Sequence, residues 1–260
     1  VVVGGGPAGL KAALTAAQRG HQVTLVEQSG ALGGLMIPAS VGAFKEDLRR
    51  YLSYLRRQVE KSQIHVMLHT RADRALLEHL HPDAVILAVG GRAVMPPVPG
   101  LGTSGAVQAV ALLNAGLEPA GTRVTILGGG SIGCELALEL AALDRMVTVV
   151  ELRDKLAANG NELYRQDLML HLEQETRITI LTQTVCTGVT AQGCTVREKD
   201  GGTRVIPHDT FVIAAGLRAD ADAVEALYGV VPETYYVGDC KRAASITEAT
   251  TEAYFLGASL

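Results

Sequence analysis

The strongest constraint on this chain is an internal repeat. Gly4–Glu27 and Gly128–Glu151 align without gaps and share 11 of 24 residues. A second echo closes each copy, because DAVILAVGGRA at Asp83–Ala93 and DTFVIAAGLRA at Asp209–Ala219 agree at 5 of 11 positions. Each copy has the same local physics. A short apolar run (Val1–Val3; Val124–Leu127) suits a parallel strand covered on both faces, and glycines follow at once. Next come an Ala/Leu-rich helix (Gly9–Arg19; Gly133–Leu143) and a second β-branched strand (Val23–Val26; Val147–Val150). Strand, turn, helix and strand make one βαβ unit, and the chain uses it twice. The expected fold class is therefore α/β, with two Rossmann-like three-layer lobes.

Between the copies the pattern is less regular. Phe44–Lys61 places Phe44, Leu48, Tyr51, Leu52, Leu55 and Val59 on one helical face, with basic residues largely elsewhere. Ile64–Leu68 reads as a strand, and the proline-rich Met95–Gly105 as a linker. From Gln183 to Pro207 short strands broken at Gly188, Gly193 and Gly201-Gly202 predict a β-meander. The last elements expected are a strand at Thr234–Val237 and a helix near Ser245–Leu256.

Both copies carry GxGxxG, as Gly4/Gly6/Gly9 and Gly128/Gly130/Gly133. The first glycine permits the tight turn, the second lets a pyrophosphate approach the backbone, and the third lets helix and strand pack closely. The helix N-terminus then offers unpaired N–H groups and a positive dipole end to phosphate. Each copy also ends in a carboxylate, Glu27 or Glu151, 18 residues after its last glycine. Such a carboxylate accepts hydrogen bonds from ribose hydroxyls and repels a 2′-phosphate, so an unphosphorylated adenosine ribose is expected at both sites and NADH over NADPH at the second. Arg153, two residues beyond Glu151, is the one feature that could accept a phosphate there.

Composition removes other classes. With 23 Lys+Arg against 27 Asp+Glu, the formal charge of −4 gives no footprint for nucleic acid. No apolar run approaches the roughly 20 residues of a membrane span, and no signal-peptide pattern opens the chain, so no membrane role and a cytoplasmic location are expected. Cys134, Cys186, Cys194 and Cys240 form no CxxC and no zinc spacing, and read as small buried hydrophobes. His65 and His69 fall on one strand face without a third ligand, so no metal site is expected. A chain that begins inside its first strand without a methionine is expected to be cut from something longer.

These motifs carry a resemblance. GGGPAGLKAAL, Glu27, Gly33-Gly34, ILAVGG, GGGSIGCELA and the late YYVGDC resemble the flavoprotein reductases with two dinucleotide-binding domains. GGLMIPASVGAFKEDLRRYLSYLRRQVEK is most similar to the C-terminal FAD/NAD(P)-binding module of the NADH:flavin oxidoreductases related to 2,4-dienoyl-CoA reductase, enoate reductase and trimethylamine dehydrogenase. The resemblance implies FAD on the first unit and NADH on the second, with residues 1–97 and 220–260 forming the FAD-binding domain and residues 98–219, linker included, the NAD(P)-binding domain. It implies hydride transfer from NADH to FAD, with electrons passed to an N-terminal barrel carrying FMN and an iron–sulfur cluster, a partner domain not found in these residues.

The resemblance also implies the cofactor contacts. For FAD they are Gly4, Gly6, Pro7, Ala8, Gly9, Glu27, Gln28, Gly33, Gly34, Leu35, Ala88, Val89, Gly90, Gly238, Asp239, Ser245 and Ile246. For NADH they are Gly128, Gly130, Ser131, Ile132, Gly133, Glu151, Ala215 and Gly216. Asp239 is expected to accept hydrogen bonds from the ribityl chain or to lie beside the pyrophosphate. Ser245-Ile246-Thr247-Glu248 has the spacing of a capping box, marking a helix N-terminus whose dipole would stabilise reduced flavin. No catalytic side chain is expected, because hydride chemistry belongs to the cofactors. Two alternatives remain at this point: a non-catalytic module holding ADP in place of FAD, and a reductase similar to the small subunit of glutamate synthase. The disulfide reductases of the superfamily need a redox cysteine pair, for which no CxxC or similar spacing exists here.

Overall fold

The computed structural model describes residues 1–158 and 160–260. They form two compact units, the first comprising Val1–Ser40, Lys45–Arg92 and Leu217–Leu260, the second Val41–Phe44 and Ala93–Gly216.

In chain order the first unit begins with β1 (Val2–Val3), α1 (Pro7–Gln18), β2 (Thr24–Val26), α2 (Met36–Ala39), α3 (Glu46–Glu60), β3 (His65–Met67), α4 (Arg74–Leu80) and β4 (Ala84–Leu87), followed by β5 (Gly91–Ala93). The second contains β6 (Val107–Gln108), α5 (Ala109–Ala115), β7 (Arg123–Leu127), α6 (Ser131–Ala142), β8 (Met146–Val150), α7 (Glu162–Gln174), β9 (Ile178–Leu181), β10 (Val185–Val189), β11 (Gly193–Arg197), β12 (Thr203–Pro207) and β13 (Thr210–Ile213). The chain then forms β14 (Leu217–Ala219), α8 (Ala221–Glu225), β15 (Glu233–Tyr236), a 3-10 turn at Gly238–Cys240 and α9 (Ile246–Ser259). Strands β5 and β14 pair with each other as a two-stranded ribbon.

Each unit is built on a five-stranded parallel sheet, ordered β15-β4-β1-β2-β3 in the first and β6-β13-β7-β8-β9 in the second. The two orders are equivalent. In both, the glycine-bearing strand is central, the next two strands run out to one side, and the closing strand returns to the other. The topological switch points therefore lie between β1 and β4 and between β7 and β13, where open α/β sheets bind ligands beyond their carboxyl ends.

Alternating side chains fill both faces of each sheet. In the first unit Val2, Leu25 and Ile86 pack under α1, α3 and α9, while Val3, Val85 and Leu87 pack against Leu77 of α4 and Leu227. In the second, Val124, Ile126, Val147 and Val149 pack against α5, α6 and α7. Its opposite face, carrying Val150, Phe211 and Ile213, is covered by Cys186, Val189, Cys194, Val196 and Ile206 of the antiparallel sheet β10-β11-β12. Continuous burial on two faces explains why these strands read as unbroken apolar runs.

Three local expectations are corrected. Gly188 does not break a strand but sits inside β10, at a bulge where the register with β11 shifts between Cys186 and Gly188. The proline-rich stretch is packed rather than free: Leu101 is buried in the meander's core, and the Val189 N–H donates to the Pro99 carbonyl at 2.9 Å. His65 and His69 do not share a strand face, because β3 ends at Met67 and His69 turns into the left-handed region at φ 51°. Its imidazole lies against Gly30, where a Cβ would come within 2.6 Å of the ring.

Candidate functional site

Parallel pairing brings the ends of β1, β2, β4 and β15 to one edge of the first sheet, so Gly4, Glu27, Ala88 and Val237 follow directly at that edge. The three glycines of Gly4/Gly6/Gly9 are there for different reasons. Gly4 has φ +105°, and a Cβ there would overlap the Ala88 carbonyl across the switch point. A Cβ on Gly9 would overlap the Gly4 carbonyl oxygen. Gly6 obeys neither constraint: its φ of −73° and ψ of −177° suit any residue, and a Cβ would meet only the Gly34 Cα, at 4.0 Å. The protein's own packing leaves that space open.

The second unit repeats the arrangement. Gly128 has φ +114° against the Ala214 carbonyl, Gly133 abuts the Gly128 carbonyl, and Gly130 has an ordinary backbone (φ −68°, ψ 177°) with no atom within 4 Å of its would-be Cβ. Gly6 and Gly130 are also the N-caps of α1 and α6, and neither helix has a side-chain cap or an acidic residue in its first turn. Helices α4, α7 and α9 are capped, by Asp73, Asn161 and Ser245. The first amide bonded within α1 is that of Leu10, to Gly6, and within α6 that of Cys134, to Gly130. The N–H groups of Ala8 and Gly9, and of Ser131, Ile132 and Gly133, therefore precede the first helical bond and stand at dipole-positive ends beside the open Cβ positions of Gly6 and Gly130. Pro7, which has no N–H to satisfy, fits the first position of α1.

The two terminal carboxylates are latched to their own glycine loops. Glu27 accepts the Gly5 N–H at Oε2 (2.6 Å) and the Ser29 N–H at Oε1 (2.7 Å). Glu151 accepts the Gly129 N–H at Oε2 (2.6 Å) and the Arg153 N–H at Oε1 (2.8 Å). Two accepted bonds leave lone pairs for a further partner, since a carboxylate offers about four acceptor positions. Arg153 thus meets Glu151 through its backbone, and the residue is otherwise exposed. The middle glycines belong to the same device. A Cβ on Gly5 would come within 2.7 Å of Leu32 and 3.1 Å of the Glu27 carboxylate, and one on Gly129 within 3.0 Å of Glu151. Sequence reasoning passed over Gly5 and Gly129, although their identity in both copies was the available signal.

The remaining positions gather around these loops. Gly33 donates to the Gly5 carbonyl at 2.7 Å, and Gly34 (φ +52°) presents its Cα to Gly6, so close that a Cβ would lie 2.9 Å from the Gly6 Cα. Ala157, also left-handed at φ 46°, makes the corresponding 2.8 Å bond to Gly129. Leu35 immediately precedes α2 without a side-chain cap, and Gln28 lies exposed beyond Glu27. Ala88 is buried, Val89 and Gly90 (φ +76°) continue from it, and Ala215 and Gly216 (φ +94°) follow β13 in the same way. A Cβ on Gly90 or on Gly216 would meet no protein atom within 4 Å.

Gly238 (φ +73°) packs against Ala8, where a Cβ would approach to 2.8 Å, and this sets Asp239 beside the first turn of α1. Asp239 accepts the Ala244 N–H at Oδ1 (3.2 Å), and partial burial raises its carboxyl above the usual range. Ser245 and Glu248 form the expected capping box: the Ser245 Oγ accepts the Glu248 N–H at 3.1 Å, and the Glu248 Oε2 accepts the Ser245 N–H at 3.0 Å. The box leaves the Ile246 and Thr247 amides at the start of α9. Among the described residues no group of three or more His, Cys, Asp or Glu could hold a metal ion, and no helix is long and apolar enough to cross a membrane.

The family described as pyridine nucleotide-disulphide oxidoreductase matches residues 1–253. A bilirubin reductase of Mediterraneibacter gnavus is 35% identical over 255 residues, covering 98% of this chain and 39% of the reductase. An NADH oxidase of Thermoanaerobacter brockii is 34% identical over 221 residues, 83% of this chain and 34% of the oxidase. Among solved structures, a 2-naphthoyl-CoA reductase superposes with a TM-score of 0.94 at 26% identity, over 100% of this chain and 39% of its own. The chain thus spans about two-fifths of these proteins or less.

Proposed function

The chain belongs to the pyridine nucleotide-disulphide oxidoreductase family, and on that premise we propose that it is the electron-input module of an NADH:flavin oxidoreductase, with FAD on its first unit and NADH on its second. As a family member it is an oxidoreductase binding FAD and NAD(H), and its likeness to the NADH:flavin oxidoreductases related to enoate reductase stands among reductases of that kind. The observation that carries the finer assignment is the spare room at Gly6 and Gly130. Both residues have a backbone any side chain could adopt and no protein neighbour that forbids a methyl, yet both are glycine at the uncapped start of a helix. A pyrophosphate fills that space and satisfies those amides.

Bound flavin supplies acceptance of a hydride from a reduced nicotinamide and release of electrons to an FMN and iron–sulfur partner domain. The protein's residues supply position and electrostatics. In the first unit the Ala8 and Gly9 amides hold the diphosphate, Glu27 accepts from the ribose hydroxyls with the lone pairs its latch leaves, and Asp239 accepts from a hydroxyl of the ribityl chain. Gly33, Gly34 and Gly90 would let the backbone pass close to the cofactor, and the dipole-positive start of α9 would stabilise negative charge on a flavin held beside it. In the second unit the Ser131, Ile132 and Gly133 amides hold the diphosphate of NADH. Glu151 repels a 2′-phosphate and so selects NADH over NADPH.

The test is the identity of the nucleotide released on acid denaturation of the purified chain. FAD, absent from a Gly6→Val variant of normal far-UV circular dichroism, is the expected result. Release of ADP alone would replace this reading with a non-catalytic nucleotide-binding module.

A further inference from the structure

The fold makes a thiol pair that spacing does not reveal. Cys186 lies on β10 and Cys194 on β11, eight positions apart around the turn. The antiparallel register sets Cys186 opposite Val196, two residues from Cys194 and therefore on the same face of the hairpin. That face is the one turned to the core, and both cysteines belong to the cluster under the parallel sheet. Each thiol lies near enough to the other to shift its ionisation. The register shifts at a bulge between Cys186 and Gly188, where the Cys186 thiol donates to the Gly188 carbonyl at 3.7 Å. The other two cysteines are buried singly, with Cys134 bonded to Gly129 and Cys240 to Leu87 and Val237.

We propose that Cys186 and Cys194 are a disulfide-forming pair, a site of reversible oxidation by peroxide within the meander of the second unit. The two thiols divide the chemistry unequally. The neighbouring Cys194 thiol holds Cys186 below the ordinary thiol value, whereas the Cys186 thiol and burial push Cys194 up. Cys186 is 8% exposed and Cys194 is fully buried. Cys186 is thus the nucleophile and Cys194 the resolving thiol.

The Cys186 thiolate attacks one oxygen of hydrogen peroxide, the O–O bond breaks, and the departing hydroxide takes up the proton lost from Cys186 to become water. The sulfenic acid on Cys186 is then attacked by the Cys194 sulfur. The S–S bond forms, the S–O bond breaks, and the second oxygen leaves as water with the Cys194 proton. Two electrons pass from the sulfurs to the peroxide. The product closes a short loop around the bulge, which restrains the unfolded chain.

The experiment treats the purified, folded, flavin-loaded chain with hydrogen peroxide, alkylates remaining thiols under denaturing conditions, and reads tryptic peptides by mass. Both cysteines fall in one peptide, residues 178–197, between Arg177 and Arg197. The expected result is that this peptide becomes unalkylated and lighter by two hydrogens, reverts on treatment with dithiothreitol, and that Cys134 and Cys240 remain alkylated. Oxidised protein should also melt a few degrees higher. A Cys194→Ser variant should instead accumulate a dimedone-trapped sulfenic acid at Cys186. Should that variant fail to fold, the wild-type peptide mass still decides the matter. Two alkylated thiols after oxidation, a disulfide linking separate chains, or direct conversion to sulfinic acid would each overturn the proposal.

Discussion

A methyl group at position 130 separates space kept for a ligand from space used by packing. Gly130→Ala requires no backbone change, since φ −68° and ψ 177° are ordinary for alanine, and the new Cβ meets nothing within 4 Å. Alanine is a poorer N-cap than glycine by about 1 kcal/mol. Lower entropy of the unfolded chain returns roughly 0.4–1 kcal/mol. The net change is within about 1 kcal/mol, or a shift of roughly 2–4 °C in Tm. With nucleotide present the balance reverses, because the methyl occupies the approach of the diphosphate to the Ile132 and Gly133 amides. Losing one charge-assisted bond of about 1.5–3 kcal/mol weakens binding by at least about 1.5 kcal/mol, roughly tenfold in Kd. Gly133→Ala is the internal control. Its Cβ would overlap the Gly128 carbonyl, so it should lower Tm whether or not nucleotide is present. Calorimetric titration with NADH and thermal melts of the three proteins read both quantities. If Gly130→Ala bound NADH within threefold of wild type, the argument from spare room would fail.

Other consequences follow from the same geometry. Asp239→Ala should lose flavin during purification while keeping its circular dichroism, and recovery with full flavin content would remove Asp239 from the site. Glu151→Gln keeps an acceptor for the Gly129 N–H but loses the charge, so the NADH-to-NADPH ratio of kcat/KM should fall by roughly tenfold or more; wild-type preference for NADPH would contradict the assignment. His208 is buried, its Nε2 donates to the Thr190 carbonyl at 3.2 Å, its Nδ1 has no partner among the described residues, and burial lowers its pKa. Because the folded pKa lies below the unfolded one, the neutral ring's contribution is complete above about pH 6.5 and declines as pH falls toward the lowered value. Wild-type Tm should therefore drop more steeply than that of His208→Phe between about pH 7.5 and pH 5. Equal slopes would show that protonation of His208 is not coupled to unfolding.

The glycine loops, the repeat and the capping box at Ser245 were legible because each is local: its residues lie within one βαβ unit or one helical turn, and their spacing is the structure. Features set by pairing were not. The meeting of Cys186 and Cys194 depends on register and on a bulge, neither of which CxxC spacing can express. The proline-rich stretch read as a linker because prolines disfavour regular structure, yet Val98 and Leu101 supply apolar surface to the meander's core. His69 followed the strand pattern by parity, but its left-handed turn is held by the bonds from its own N–H to Ser29 and from the Thr70 N–H to Glu27. The latch from Gly5 to Glu27 and from Gly129 to Glu151 escaped notice because the motif has an unspecified residue between its first two glycines.

The most direct test of the account is anaerobic addition of NADH to the purified, flavin-loaded chain, followed by its visible spectrum. The oxidised flavin absorption should bleach on addition of NADH, and far more slowly in Gly130→Ala at the same subsaturating concentration. A bound flavin whose spectrum NADH leaves unchanged would contradict it.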